Sequence, residues 1–371
     1  MNAPVQSPNE SSPHWNQEKT FYQKDQYFSE MLALIQNAKR TIELETYIFQ
    51  YDRIGISVLN ALKEAAARNV IVRVVVDGCG SRLWLDDIHT HLAGSRVRLK
   101  VYHPFPFAPK WSVQGSKLEL LARAFFQSNK RLHRKFCFVD HETVLIGSFN
   151  ICDQPNRDTG VTVQGYQTKM FLASFEKLWT HRWRAWLNLP KETALVQLND
   201  TQKLRHYWNR YKTRRISSAQ NRIWIESAYF VPPLNLLQAI CESAKRGVDT
   251  RLIIPARSDH FFMKLLSLAF YKTLLLSGVR IFEYQPEFLH AKVLIIDEKV
   301  TVGSSNMNHR SLLHDLEVDV ALNQPASLAS LKEQFEIDLK NSTEITLQSL
   351  KRGSFFAWIL QHILWLFKSL V

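Results

Sequence analysis

Residues 133–150 read His133-Arg-Lys135-Phe-Cys-Phe-Val-Asp140-His-Glu-Thr-Val-Leu-Ile-Gly147-Ser148-Phe-Asn150. Residues 290–306 repeat the pattern as His290-Ala-Lys292-Val-Leu-Ile-Ile-Asp297-Glu-Lys-Val-Thr-Val-Gly303-Ser304-Ser-Asn306. A single His-x-Lys-x4-Asp is weak evidence, because these residues are common and the gaps are loose. Two copies, each followed at nearly the same distance by Gly-Ser-x-Asn, are hard to obtain by chance.

Alternate residues of a strand share a face, so His133 and Lys135 point one way, as do His290 and Lys292. Asp140 and Asp297 have the opposite parity and fall at strand ends, where a turn or pairing role suits them. The residues after each Asp read as a tight turn into a second apolar strand that ends at Gly147-Ser148 or Gly303-Ser304. A hairpin turning there returns Ser148 toward Lys135 and Asn150 toward His133. In the second copy Ser304 and Asn306 return toward Lys292 and His290.

The duplication reaches beyond the motifs. Thr41–Phe49 matches Arg222–Phe230, with Glu45 and Glu226 at corresponding places inside apolar strands. Each stretch is followed by a helix-like segment (58–68, 234–246), a β-rich run (70–77, 250–255) and a further strand (97–102, 279–284). Strand–helix–strand order repeated in this way predicts an α/β fold of two tandem halves, each a mixed sheet flanked by helices. The halves are expected to pack as a pseudo-twofold pair around one shared site. The expected boundaries are 20–198 for the first half, 199–221 for a polar, basic connection, 222–345 for the second half and 346–371 for an apolar tail. The first half carries an aromatic and basic insertion at 105–132, which reads equally as a flap over the site or as a surface helix.

The chain has 371 residues, 46% of them hydrophobic, and a formal net charge of +13. That length and apolar content suit a large globular core. The charge points to anionic partners: a membrane surface with anionic phospholipids first, and nucleic acid as the less favoured polyanion. Cys79, Cys137, Cys152 and Cys241 lack metal-ligand spacing and read as reduced core residues. The polar N-terminus lacks the apolar core of a signal peptide, and no run reaches the ~18–20 apolar residues needed to span a bilayer. Any membrane association is therefore expected to be peripheral, at the cytoplasmic face. Residues 355–367 interleave aromatic and aliphatic side chains beside Lys351, Arg352 and Lys368. That composition favours a helix lying in the lipid interface.

Imidazole, ammonium, hydroxyl and amide groups brought together suit a phosphodiester. Lys135, Lys292, Ser148, Asn150, Ser304 and Asn306 would hold the non-bridging oxygens. One imidazole would attack phosphorus, and the other would protonate the departing oxygen and later deprotonate the incoming one. Attack and departure occur on opposite sides of phosphorus, which is why two copies are needed. Each imidazole needs a carboxylate to fix its tautomer. Asp158 follows the first motif and Glu317 the second, with Asp315 less favoured. A lysine two residues from each histidine would repel a cation, so neither a metal nor any cofactor is expected.

These residues resemble the phospholipase D superfamily, whose mark is a pair of His-x-Lys-x4-Asp motifs. The resemblance covers roughly residues 20–345. Within it, Glu45–Phe49, Arg131–Lys135, Ile225–Phe230, Arg257–His260 and the run from Leu289 through Ser311 to Val318 are similar to bacterial cardiolipin synthases. The resemblance implies metal-independent transfer of a phosphatidyl group to phosphatidylglycerol or a related alcohol, through a phosphohistidine. It implies a catalytic set of His133, Lys135, Asp140, His290, Lys292 and Asp297, with His133 as the nucleophile. Many such synthases begin with two transmembrane helices, and this chain resembles the shorter type. Hydrolysis of lipid or nucleic-acid phosphodiesters is the alternative, since water and an alcohol can resolve the same intermediate. A catalytically inert membrane scaffold is disfavoured by two intact motifs.

Overall fold

The computed structural model describes residues 14–104, 130–180 and 195–350. The insertion expected at 105–132 falls almost wholly outside the described residues, and so does the tail from 351 onward.

Two mixed sheets carry the duplication. In the first, the strand order is Gln17–Phe21, Gly160–Gln164, Thr143–Gly147, Phe136–Val139, Thr41–Thr46, Ile71–Asp77 and Arg98–Tyr102. In the second it is Ser342–Ile345, Arg280–Tyr284, Asp249–Pro255, Arg222–Glu226, Val293–Ile296, Lys299–Gly303, Val318–Leu322 and Val196–Leu198. Read from opposite ends, six successive strands of one sheet match six of the other. In both, the three strands joined by helical crossovers are parallel, and the motif hairpin adds antiparallel strands beside them.

The motif strands show why their sequence is apolar without a break. Phe136 and Phe138 enter a core that also holds Val293 and Ile295 of the second sheet. Their neighbours Cys137 and Val139 face a separate core beneath the helices Lys24–Asn37, Arg53–Ala67 and Leu85–Leu92. Leu294 and Ile296 likewise enter a third core beneath the helices Leu234–Lys245 and Phe261–Leu276. The sheets thus pack face to face, with helices on their outer sides, and strands buried on both faces have no polar face to alternate. The helices Lys169–Thr180 and Pro325–Lys340 occupy matched positions and contribute Phe171, Phe175, Leu331 and Phe335 to the central core.

Several boundaries differ from the sequence expectation. The strand Val196–Leu198, placed by sequence in the first half, pairs with Val318–Leu322 of the second. The connection at 199–221 is largely the helix Gln202–Ser217, capped by the Thr201 side chain. Its buried residues include Arg205, Tyr207 and Trp208, so a polar composition concealed a packed element. The first sheet gains an edge strand at Gln17–Phe21, earlier than the expected start at residue 20, and Trp15 is buried in the central core. Cys137, Cys152 and Cys241 are buried as expected, but Cys79 is exposed in the turn after Asp77.

Glu45 and Glu226 are buried in their strands and face buried arginines rather than the motif histidines. Arg134 Nη1 lies 3.8 Å from Glu45, and Arg134 also binds Asp200 and Ser174. Burial pushes the Glu45 carboxyl up to about 7, against the attraction of Arg134. Burial, reinforced by Asp338, also raises Glu226, while Arg157 opposes the rise and is held by Asp338 at 2.6 Å.

Candidate active site

The halves meet through two short backbone pairings that position both histidines. Leu132 bridges Leu316, and His133 N donates to the Leu316 carbonyl at 2.9 Å. Leu289 pairs with Arg157, and His290 N donates to the Arg157 carbonyl at 2.8 Å. In each case the next residue of the opposing strand is a buried carboxylate. His133 Nδ1 sits 2.9 and 3.0 Å from the Glu317 carboxylate oxygens. His290 Nδ1 sits 2.7 Å from Asp158 Oδ1. The candidates thus cross over: the acid that follows the first motif serves the second histidine, and the reverse.

A carboxylate accepts from Nδ1–H, which leaves Nε2 of each ring for a ligand, with a lone pair in the neutral ring and an N–H in the imidazolium. Burial and the charges of Lys135 and Lys292 hold His133 well below the ordinary histidine range. His290 is also lowered, by burial and Lys292, with Asp158 acting in the other direction. Asp158 stays below its usual value, because His290 and Lys292 overcome the effect of burial. Glu317 is pushed up to about 7 by burial, which Lys135 and Ser304 oppose.

Both lysines are buried, and each donates to the carbonyl of its own motif histidine, at 2.7 Å for Lys135 and 2.5 Å for Lys292. Burial pushes Lys135 down to about 8. Burial and the neighbouring charge of Lys135 push Lys292 down to about 7. Each lysine also acts on the other motif's histidine, so the two motifs form one electrostatic site.

The serines sit beside the carboxylates. Ser148 Oγ donates to Asp158 at 2.5 Å and accepts from Thr159 N, while Ser304 Oγ donates to Glu317 at 2.5 Å and accepts from Val318 N. Both are fully buried. Their hydroxyls bind the carboxylates that face the imidazoles. The preceding glycines permit this close approach: a Cβ at Gly147 would lie 2.4 Å from the Thr159 carbonyl, and one at Gly303 2.4 Å from the Val318 carbonyl. Asn150 and Asn306 keep Oδ1 atoms that are buried without a hydrogen-bond partner. Such unsatisfied amides are costly unless a ligand completes them.

Asp140 and Asp297 lie away from this cluster. Asp140 accepts from the backbone N–H groups of Lys39, Arg40 and Thr41, and Asp297 from those of Gln220, Asn221 and Arg222. Both occupy left-handed backbone, at φ of 54° and 52°, where the hairpin turns. These contacts place both carboxylates on backbone groups beside the hairpin turns rather than on the histidines. Asp140→Ala and Asp297→Ala are each expected to lower unfolding free energy by about 1–3 kcal/mol, with turnover per folded molecule nearly unchanged. Denaturation curves measured beside active-fraction titrations check this.

Some supporting residues carried no readable sequence signal. Asp77 accepts from Leu132 N at 2.9 Å and forms a 3.7 Å ion pair with Arg131, anchoring the entry to the first motif. Asn199 accepts from Glu317 N at 2.6 Å and donates to the Asp315 carbonyl. Asp315 itself binds Arg131 N and Arg310 and does not face a histidine Nδ1. Tyr47 lies 5.1 Å from the His133 ring and Phe288 5.8 Å from His290, measured between ring centroids. Among the described residues, no group of three or more His, Cys, Asp or Glu side chains is placed to hold a metal ion.

Comparison with known proteins bears on this geometry. The chain is 29% identical over 381 residues to a cardiolipin synthase of Clostridium perfringens, covering 95% of this chain and 76% of that protein. It is 28% identical to cardiolipin synthase 1 of Bacillus anthracis, covering 94% and 71%. Among solved structures, phosphatidylserine synthase of Haemophilus influenzae matches with a TM-score of 0.67 at 13% identity, covering 95% of this chain and 94% of that one. Polyphosphate kinase of Porphyromonas gingivalis matches with a TM-score of 0.57 at 12% identity, covering 87% and 50%. These structural matches speak for the fold alone. The family described as cardiolipin synthase, PLD-like domain, matches residues 31–179 and 213–339, one block in each half. The duplicated motifs, the paired sheets and this match together place the chain in the phospholipase D-like domain family of the cardiolipin synthases.

Proposed function

We propose that this protein is a phosphatidyltransferase that moves a phosphatidyl group to phosphatidylglycerol or a related alcohol through a covalent phosphohistidine. The observation that carries the reading is the pair of imidazoles, each fixed at Nδ1 by a carboxylate of the opposite half, with two buried lysines whose charges act on both. The names of the relatives agree with lipid substrates.

His133 is the nucleophile. The resemblance to the family implies this assignment, and burial with the lysine charges holds the His133 ring neutral, the form that has a lone pair to give. Its Nε2 forms a bond to phosphorus as the bond to the departing glycerol oxygen breaks, and His290, entering the step as the imidazolium that Asp158 stabilises, gives that oxygen its Nε2 proton. The new positive charge on His133 is stabilised through Nδ1–H by Glu317. The acceptor hydroxyl then enters from the side the first alcohol left, gives its proton to His290, and attacks phosphorus as the phosphorus–nitrogen bond breaks. Lys135 and Lys292, with the Nδ2 groups of Asn150 and Asn306, would donate to the non-bridging oxygens, in a buried site where such hydrogen bonds count for more than in water. The protein would act at a membrane surface, peripherally. Among the described residues, no helix is long and apolar enough to cross one.

The test is incubation of purified protein with phosphatidylglycerol vesicles in EDTA, with products resolved by lipid mass spectrometry. Cardiolipin and released glycerol are expected. Phosphatidic acid alone would assign water as the acceptor, and no lipid turnover by vesicle-bound protein would overturn the reading.

A further inference from the structure

The helix Phe261–Leu276 buries Met263, Leu266, Phe270 and Leu274 in the outer core of the second half. Its first two residues do not join that core. Phe261 is 67% exposed and Phe262 60% exposed, with ring centroids 6.1 Å apart. Isolated exposed apolar residues need no explanation, but two adjacent phenylalanines at a helix start, where polar capping residues are favoured, do. Ser258 supplies a local polar contact to His260 N, so the helix entry is made without them.

Their position ties them to the site. Tyr229 donates to Asp259 at 2.6 Å, its ring lies 6.2 Å from Phe288, and Phe288 lies 5.8 Å from His290. Asp259 is also close enough to act on Lys292. The two exposed rings therefore stand at the rim of the site, on the His290 side, two residues beyond a contact that leads into it. Arg257 and His260 are exposed in the same segment, and the chain carries a net charge of +13.

We propose that Phe261 and Phe262 form an apolar wedge that enters the headgroup boundary of an anionic phospholipid bilayer and holds the mouth of the site against it. This rests on the phosphatidyltransferase reading only for its purpose, since the binding it requires is independent of chemistry. Aromatic rings beside basic groups suit the interface, where apolar faces sit roughly 5–10 Å deep and anionic lipid attracts the cations. A substrate whose phosphodiester lies at the headgroup level would then reach Lys292 without leaving the membrane.

The test uses full-length protein carrying Phe261→Ser with Phe262→Ser, sedimented with vesicles of phosphatidylglycerol or of phosphatidylcholine. A Leu83→Ser variant, at another exposed apolar side chain in the other half, is the control. The serine pair is expected to bind phosphatidylglycerol vesicles about 10–100-fold more weakly, the loss expected of two buried aromatic rings, while Leu83→Ser binds as wild type. Turnover of a short-chain, monomeric phosphatidylglycerol should be unchanged. Unaltered vesicle binding by the serine pair overturns the proposal. So does a wild-type dimer that the serine pair dissociates, because the rings would then cover a second copy. Should the serine pair also lose turnover of monomeric substrate, Phe261→Leu with Phe262→Leu decides: restored vesicle binding supports the wedge, and an equal loss overturns it. If wild type binds vesicles through the wedge but turns over no lipid, the functional reading fails and the wedge stands.

Discussion

Replacing His133 with asparagine is expected to lower turnover by about 10⁴–10⁶-fold and to leave no covalent intermediate; replacing His290 with asparagine is expected to cost as much and yet to trap one when the leaving group needs no proton. The difference follows from what each ring must do. Without His133 no nitrogen is placed to form the bond to phosphorus, and no choice of leaving group repairs that. Without His290 the nucleophile remains, backed by Glu317 at 2.9 Å, but neither proton transfer has a carrier. A phosphatidyl ester of a nitrophenol separates these losses, because the phenolate departs without a proton. With that substrate the His290→Asn variant is expected to release one equivalent of nitrophenol and to gain the mass of one phosphatidyl group. The adduct should persist, since the incoming alcohol then lacks a base. Intact-protein mass spectrometry reads the result. An adduct in the His133 variant and none in the His290 variant would reverse the roles, and adducts in neither would remove the covalent route.

The duplication made much of this legible before the structure. Matched strands at Thr41 and Arg222, and the same hairpin after each His-x-Lys, give the α/β halves and the single site they share. The pairing of acid to histidine was not legible. Sequence order suggests that each acid serves its own motif, whereas the choice is made by two backbone pairings between halves, Leu132 with Leu316 and Leu289 with Arg157. Contacts between segments so far apart in the chain leave no periodic trace. The contacts of Ser148 and Ser304 with Asp158 and Glu317 were not legible either, because a strand register fixes where a hydroxyl lies and not which neighbour takes its proton. The helix Gln202–Ser217 was hidden for a different reason. Its mean composition is polar and basic, yet it buries Arg205, Asn209 and Lys212 beside Tyr207 and Trp208, with Lys212 paired to Asp319 at 2.7 Å, so no apolar stripe marks it.

The crossed carboxylates give the second large effect, and its sign depends on which half each acid serves. Asp158→Asn and Glu317→Gln are each expected to lower turnover by about 10³–10⁴-fold, the cost seen when a carboxylate that fixes a catalytic imidazole is neutralised. Their consequences should differ. Glu317 is pushed up to about 7 by burial, and it must be ionised to hold the imidazolium that forms on His133. The rate therefore rises as pH passes upward through about 7, and this limb should vanish in Glu317→Gln. Asp158 is held below its usual value and is ionised throughout, so Asp158→Asn should lower the whole profile and keep the limb. The falling limb belongs to His290, which must carry a proton to act as the acid, and to Lys292 and Lys135, pushed down to about 7 and about 8; the lysine part should persist in both variants. With the nitrophenyl ester, Glu317→Gln slows formation of the adduct, whereas Asp158→Asn slows its resolution and lets it accumulate. Pairing within each half would give the opposite result. Crossed pairing carries a further consequence: a half separated from its partner keeps its histidine and lysine but loses the carboxylate that orients the ring. Neither half alone is then expected to form a phosphohistidine, so the activity depends on the two halves being packed together.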